Sequence, residues 1–326
     1  MFVPTNYSLV IVMMSLSLIC WGSWANAQKL TKWRFEYFYF DYSLGVLLAS
    51  LTAALTLGSF GGQGVSFIQN LLTADAGRLG YAFLSGVAFN IANYLLVAAI
   101  AMAGMAVAFP IAIGIATVLG GVLNYLIDPQ GDPILFAWGM VMMILAICIA
   151  AQAYSRVPGV AGNNKSRGLI TSLTCGVLMG FWSPIIAKSY APGDGALEIY
   201  GAFVIMGIGI LISTIILLPL MMKKPITGEE PIELAAYWQA TNSSHFGGLL
   251  GGIVWGIGAL SFYLASTMAG TAVAYTFGQG APLVATAWGA FVWKEFKGVK
   301  GIKALLVALF SFYIAGLILL TAAGSQ

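Results

Sequence analysis

The side chains best suited to chemistry in this sequence are amides and aromatic rings that lie inside long apolar stretches. Asn90 and Asn93 are three residues apart, so they share one face of a helix, and Gln279 is a third amide in such a stretch. An amide in apolar surroundings needs hydrogen-bond partners, so each of these residues either joins two helices or contacts a solute. As a set, amides and indole rings suit a flat, neutral, hydrogen-bonding solute. The predicted site consists of Trp24, Asn26, Asn90, Asn93, Trp182, Trp255 and Gln279.

Charged groups are expected only near the ends of the predicted helices. Glu36 and Asp41 stand at the entrance to the second helix, and Glu295 at the exit of the ninth. An ionisable group inside a membrane commonly marks an ion path, which makes Asp41 the candidate for coupling to protons. Two alternatives stay open, in which movement of the solute is uncoupled or neutral oxygens hold the coupling ion. Asp41 also fits a helix-start charge stabilised by the helix dipole.

Three prolines, Pro110, Pro184 and Pro282, lie inside predicted helices. Proline lacks a backbone N–H and clashes with the preceding turn, so it frees a carbonyl group and permits a kink. We predict that these positions act in gating. A kink that the membrane merely tolerates is the alternative.

The composition indicates a membrane protein. Of the 326 residues, 60% are hydrophobic and 8% are charged, whereas soluble domains carry about 25% charged residues. A membrane helix needs about 20 mainly apolar residues. The candidate spans run approximately over 7–29, 40–60, 79–100, 102–126, 133–154, 168–188, 199–222, 246–267, 270–293 and 301–323. The predicted fold is therefore an all-α membrane protein with ten transmembrane helices.

The two halves of the chain are related in sequence. The segments 102–108 and 268–274 both read Met-Ala-Gly-x-Ala-Val-Ala, and each lies at a tight helical hairpin. Five helices per half is an odd number, so the second half starts on the opposite side of the membrane and the repeats are inverted. We expect the first five-helix repeat at 1–155, a short central loop at 156–167 and the second repeat at 168–326. Short surface helices are expected at 67–72 and 232–238.

The distribution of basic residues predicts the orientation, because loops rich in lysine and arginine face the cytoplasm. One side holds only Arg78 and Lys188. The other side holds Lys29, Lys32, Arg34, Arg156, Lys165, Arg167, Lys223, Lys224, Lys294, Lys297, Lys300 and Lys303. We predict a multi-pass protein of the inner membrane with both termini outside and the central loop in the cytoplasm.

Several functional classes are disfavoured by residues that the sequence lacks. An intramembrane enzyme needs a nucleophile with a base, or a metal site, and the predicted helices contain neither a deep carboxylate nor a histidine. The single histidine, His245, is expected in a polar loop, and Cys20, Cys148 and Cys175 lie in apolar stretches. No basic run is dense enough for nucleic acid. We expect no catalytic residues, no metal and no cofactor; the partners are a small-molecule substrate and the bilayer, and the oligomeric state stays open.

Motifs along nearly the whole chain carry a resemblance to a known group of transporters. They are residues 20–25 (CWGSWA), 41–43 (DYS), 86–128 with Asn93 and the ending LNYLID, and 281–289 (APLVATAWG) followed by Glu295. The chain resembles the drug/metabolite transporter superfamily, and within it the plant ureide permeases and their bacterial relatives. The glucose/ribose porter group is a nearby cousin. One departure is the central loop, which is long and bears a nucleotide-binding-like motif in the plant proteins.

The resemblance implies secondary transport of ureides such as allantoin, or of nucleobases such as uracil, often by proton symport. Several superfamily members have both termini in the cytoplasm, which the charge distribution here opposes. A sugar transporter for glucose, ribose or rhamnose is the alternative within transport. A membrane receptor that transports nothing is a more remote alternative.

Overall fold

The computed structural model describes residues 1–31, 33–157, 164–227 and 230–325, and this part of the chain is helical throughout its regular segments. The bounds of the elements follow, with one π-helical turn at Trp288–Val292. They are α1 (Tyr7–Ser23), α2 (Asn26–Thr31), α3 (Phe35–Leu55), α4 (Phe67–Thr73), α5 (Ala76–Ala103), α6 (Met105–Ile127), α7 (Pro133–Ser155), α8 (Lys165–Tyr190), α9 (Ile199–Lys223), α10 (Ala235–Trp238), α11 (Asn242–Ala269), α12 (Thr271–Gly278), α13 (Ala281–Ala287) and α14 (Ile302–Gly324).

Nine helical spans in the described ranges are long and apolar enough to cross a membrane, and α1 with α2 counts as one of them. Helices suit lipid because every backbone group is satisfied within the segment. Polar side chains at the loop ends satisfy the first free N–H groups. Asp75, for example, accepts from the N–H of Gly77, and Asp132 accepts from those of Ile134 and Leu135. The prediction of an all-α membrane protein is confirmed.

The segment predicted as a single ninth helix at 270–293 is divided instead. Helix α12 ends at Gly278, α13 begins at Ala281, and the π-helical turn follows. Pro282 stands in the first turn of α13, where its missing N–H costs nothing, but it cannot donate back to Gly278. The break therefore follows from Gly280 and Pro282, and it places Gln279 at the gap between the two helices.

Helix bounds recur at a constant offset along the chain. Ala76–Ala103 and Asn242–Ala269 are each 28 residues long, and each ends at a glycine. Gly104 has φ 80° and ψ 156°, and Gly270 has φ 78° and ψ 147°. This backbone region is open essentially to glycine alone. The two predicted hairpins thus turn at the glycine of the repeated Met-Ala-Gly sequence, and the predicted short helices appear as α4 and α10.

The helices of the two halves interlock. Helix α5 packs against α8 and α9, while α11 packs against α1 and α3, and α7 packs against α14. Glycines allow the closest approach, since a Cβ at Gly252 would collide with the carbonyl oxygen of Tyr42, and one at Gly248 with the side chain of Asp41. These glycines of α11 therefore pack directly on α3.

Two predicted boundaries shift, and both shifts matter for chemistry. Helix α3 begins at Phe35 rather than at residue 40, so Asp41 lies in its second turn and is only 3% exposed. Helix α11 begins at Asn242, capped by the Thr241 side chain, so His245 lies in its first turn and not in a loop. The central loop was predicted at 156–167, of which 158–163 lie outside the described residues, as does Lys32.

Candidate functional site: an aromatic cavity and a buried carboxylate

A cavity of about 240 Å³ lies where the middle of the bundle meets the break between α12 and α13. Helices α1, α2, α3, α5, α6, α8 and α11 supply the other walls. Of the predicted site residues, the cavity brings together Trp24, Asn93, Trp182, Trp255 and Gln279, and it also reaches Pro282. The structure therefore places these distant parts of the sequence around one space.

Aromatic rings form most of the cavity wall. Trp21 stacks on Trp255 with ring centroids 6.0 Å apart, and it meets Trp182 edge-on at 6.1 Å. The ring centroid of Phe89 lies 4.4 Å from that of Trp255 and 5.7 Å from that of Trp182. Glycine at 278 leaves the room that the Trp21 ring occupies. Such a wall favours a flat solute that can stack.

Two buried amides supply polar groups to this apolar space. The Asn93 Nδ2 donates to the Tyr39 hydroxyl at 3.1 Å, which fixes the side chain and leaves its carbonyl oxygen without a donor among the described residues. Gln279 is 7% exposed, and its side-chain amide has no partner in the described part of the chain. A buried amide without partners is costly unless a ligand or water satisfies it. Asn93 and Gln279 are therefore the best-placed groups to bind a solute through hydrogen bonds.

Two indole N–H groups of the wall are also unsatisfied. Trp21 Nε1 and Trp182 Nε1 are buried with no acceptor among the described residues. An unpaired buried donor costs about 1–3 kcal/mol, and such exceptions in a folded protein call for an explanation.

The other predicted binding residues lie outside the cavity wall. Asn90 joins α5 to α9, because its Nδ2 donates to the Ser213 hydroxyl at 2.8 Å and its Oδ1 accepts from the Thr214 hydroxyl at 3.3 Å. Asn26 accepts from Trp293 Nε1 at 2.6 Å and donates to the carbonyl oxygen of Ser23. The structure thus gives Asn90 and Asn26 contacts between segments of the protein itself.

The three predicted gating prolines have different surroundings. Helix α6 continues through Pro110 and α8 continues through Pro184 without interruption. Pro282 begins a helix and lines the cavity. Only Pro282 therefore coincides with a break in the backbone beside the cavity.

Asp41 is the centre of a second polar group near one end of the bundle. Its Oδ1 accepts from the Tyr237 hydroxyl at 2.6 Å, and its Oδ2 lies 2.7 Å from His245 Nδ1. Burial and the adjacent Asp41 carboxylate raise the pKa of the Tyr237 hydroxyl above its ordinary value, so this hydroxyl stays protonated and donates. Trp33 covers the imidazole edge-on at 5.0 Å. Asp41 of α3 is therefore a buried carboxylate that contacts side chains of α10 and α11.

An aromatic layer separates this carboxylate from the cavity. The ring of Tyr42, the next residue of α3, has its centroid 4.8 Å from that of Trp24. The ring centroid of Phe38, one turn earlier, lies 6.5 Å from that of Trp24. Trp24 in turn lines the cavity. A change in how α3 packs against α11 at Asp41 would therefore be passed to the cavity wall through the Trp24 ring.

Residues of these two centres that were absent from the predicted set include Trp21, Phe89, Tyr237 and His245. Phe89 lies 166 positions before Trp255, the same offset that relates the two hairpin glycines, so the repeat itself could have identified it. His245 required recognition of Thr241 as a helix cap, which would have moved it into α11. No sequence signal pairs Tyr237 with Asp41.

Comparisons with known proteins agree with these features. Ureide permease 1 of Arabidopsis thaliana is 23% identical over 97% of this chain and 97% of its own length. Ureide permease 2 of the same plant is 23% identical over the full length of both chains. A solved crystal structure superposes with a TM-score of 0.63 over 96% of each chain at 16% identity, which shows a shared fold. The predicted resemblance to ureide permeases is confirmed. The model of the family described as sugar transport protein matches residues 14–322, and the chain belongs to this family.

Proposed function

We propose that this protein is a secondary transporter that moves a small, flat, neutral, polar metabolite across the membrane by alternating access. The observation that carries this proposal is the aromatic cavity with the Asn93 and Gln279 amides at its wall. The permease relatives support transport as the activity. A ureide such as allantoin, or a nucleobase such as uracil, has the matching chemistry.

Recognition would combine stacking with a few hydrogen bonds. The rings of Trp21, Trp182 and Trp255 offer flat apolar surfaces, and the Gln279 amide offers both a donor and an acceptor. A cyclic ureide or pyrimidine carries alternating N–H and C=O groups that pair with such an amide. A charged solute would lose its hydration without a counter-charge, because no ionisable side chain lines this cavity within the described residues.

We also propose the plan of two inverted repeats, 1–155 and 168–326, joined by the short loop 156–167. Support comes from the equal lengths of α5 and α11 and from the matching backbone angles of Gly104 and Gly270. In this plan α12, α13 and the π-helical turn together make the tenth span. Broken helices beside the binding site are common in transporters with inverted repeats.

For the orientation we propose the inner membrane, with both termini outside and the central loop in the cytoplasm. The basic residues of the described loops support it, since Arg34, Arg156, Lys224 and Lys297 all belong to the same side. Ser325→Cys, directly after α14, tested with a reagent that does not cross membranes, would check the orientation.

We further propose that protons drive transport and bind at Asp41. Its pairing with His245 supports this role, because an imidazole is the side-chain type that changes charge near neutral pH. Protonation of the Asp41 carboxylate would remove its negative charge from this pair and so weaken the link between α3 and α11. That link lies one aromatic layer from the cavity.

The alternative is a sugar as the substrate, which the description of the family favours. Sugars also stack on indole rings, but they present more hydroxyl groups than the few polar atoms of this cavity can pair. Thermal-shift measurements on the purified protein with allantoin, uracil, glucose, ribose and rhamnose would separate the two classes. Stabilisation by sugars alone would overturn the assignment to ureides and nucleobases.

A further inference from the structure

A row of three side-chain contacts links the α1–α2 segment to the chain that follows α13. Ser23, Asn26 and Lys29 are spaced three residues apart, so they project from one face of this segment. Their partners all lie in or just after the π-helical turn. The contacts are Trp288 Nε1 to Ser23 Oγ at 2.9 Å, Trp293 Nε1 to Asn26 Oδ1 at 2.6 Å and Lys29 Nζ to Glu295 Oε1 at 2.6 Å. We call these three contacts the latch.

The latch lies at the edge of the cavity. Trp24 and Gln28, on the same segment as Ser23 and Asn26, line the cavity on one side. Ala285, in the helix that leads into the π-helical turn, lines it on the other. Separation of the two segments at the latch would therefore widen the cavity toward that end of the bundle.

The backbone on the α13 side of the latch is unusual. Trp288–Val292 is a π-helical turn, and such turns are rare and frequent at functional sites. Lys294 has φ 55°, and among the described residues it is the one non-glycine residue with a positive φ. The N–H of Glu295 donates to the carbonyl oxygen of Gly289 at 2.8 Å, which folds the carboxylate back toward Lys29. A strained turn that holds one partner of an ion pair suits a part that moves.

The ion pair of the latch contributes little to the stability of the fold. The side chains of Lys29 and Glu295 are 49% and 30% exposed, and pairs exposed to this degree contribute little to stability. Lys29 also lies over the Trp293 ring at 5.1 Å, so the same cation holds two of the three partners. The contacts of Lys29 therefore position Glu295 and Trp293, but they are weak enough to break without unfolding the bundle.

We propose that the latch is a gate, and that its opening admits the solute to the aromatic cavity from the end of the bundle that carries Lys29 and Glu295. The direction of transport through this gate rests on the proposed transport function, but the opening itself does not.

The test measures access to the cavity and needs no transported substrate. Cys20, Cys148 and Cys175 are replaced by serine, and Ala285→Cys provides a reporter in the cavity wall. The rate of its reaction with a water-soluble methanethiosulfonate is measured on the purified protein. Lys29→Glu and Glu295→Lys should each raise this rate at least fivefold, and Lys29→Glu combined with Glu295→Lys should return it to within twofold of the parent.

Two further variants keep the outcome decisive. Lys300→Glu changes a lysine of the same loop region that has no ion-pair partner among the described residues, and its rate should match the parent. Glu295→Gln keeps the shape of the side chain, and it should raise the rate even where charge reversal prevents folding. Parent-like rates in the single variants, or a double variant that stays fast, would overturn the gate. Absence of transport with these rates intact would count against the transport function alone.

Discussion

His245 Nδ1 lies 2.7 Å from Asp41 Oδ2, and this contact joins the first turn of α11 to the second turn of α3. The two helices also approach closely along Gly248 and Gly252. The one histidine of the chain is therefore bound to its most buried aspartate, at the interface of helices from the two halves.

The first prediction concerns the pH dependence of transport. Asp41→Asn removes the group that would bind the proton but keeps its size. We expect uptake by the parent to rise as the external pH falls, and uptake by Asp41→Asn to be independent of pH. Uptake into proteoliposomes at a series of pH values measures this. Asp194→Asn, in an exposed loop, is the matched control and should keep the parent profile; an unchanged profile for Asp41→Asn would move coupling elsewhere.

A second prediction concerns the hydroxyl that holds Asp41. Tyr237→Phe removes the 2.6 Å hydrogen bond to Asp41 Oδ1 and leaves a buried oxygen underpaired. A hydrogen bond to a charged group contributes about 1.5–3 kcal/mol, so the thermal midpoint should fall. The pH profile of uptake should also shift toward higher pH, because the carboxylate loses a donor that favours its ionised form. Tyr81→Phe, on an exposed tyrosine, should change neither quantity.

Asn93, Gln279 and Asn90 should separate binding from stability. Gln279→Ala and Asn93→Ala should each weaken binding about fivefold to tenfold, as expected for one or two lost hydrogen bonds. Asn90→Ala should leave affinity unchanged and lower stability by about 1–3 kcal/mol, because the two side-chain hydrogen bonds that join α5 to Ser213 and Thr214 of α9 are lost. Equilibrium binding and thermal unfolding of the three purified variants distinguish the outcomes. Normal transport by both Asn93→Ala and Gln279→Ala at normal expression would show that the site is elsewhere.

The hairpin glycines give a prediction about the fold alone. Alanine at Gly104 or Gly270 forces a side chain into a glycine-only backbone region, at a cost of about 1–3 kcal/mol each. Gly114→Ala is the control, because it lies within α6 and has open space around it. Unfolding by heat should start earlier in the first two variants only. Equal thermal unfolding midpoints for all three variants would mean that the hairpin backbone adapts to alanine without a loss of stability.

The sequence was enough to predict the helical membrane fold, the two hairpins and five members of the cavity wall. Hydropathy over 20 residues and the repeated Met-Ala-Gly sequence carry that information. The break at Gln279–Gly280 was missed because Gly and Pro within an apolar run are equally compatible with a kinked helix.

The predicted location of Asp41 differs from the structure because of a helix boundary. A helix start placed five residues late moved Asp41 from a buried turn to the membrane edge, and a late start of α11 removed its partner His245. Asn90 and Asn93 are predicted on the same helix face, so the sequence does not distinguish their roles. The packing of α9 shows that Asn90 is hydrogen-bonded to Ser213, whereas Asn93 lines the cavity.

The most direct test of the account is uptake of radiolabelled allantoin and uracil by the reconstituted protein, with and without Gln279→Ala. We expect saturable uptake of at least one of them, competition by the other and not by glucose, ribose or rhamnose, and at least a fivefold loss of apparent affinity in the variant. A correctly inserted protein that moves neither ureides, nucleobases nor sugars would contradict the proposed function.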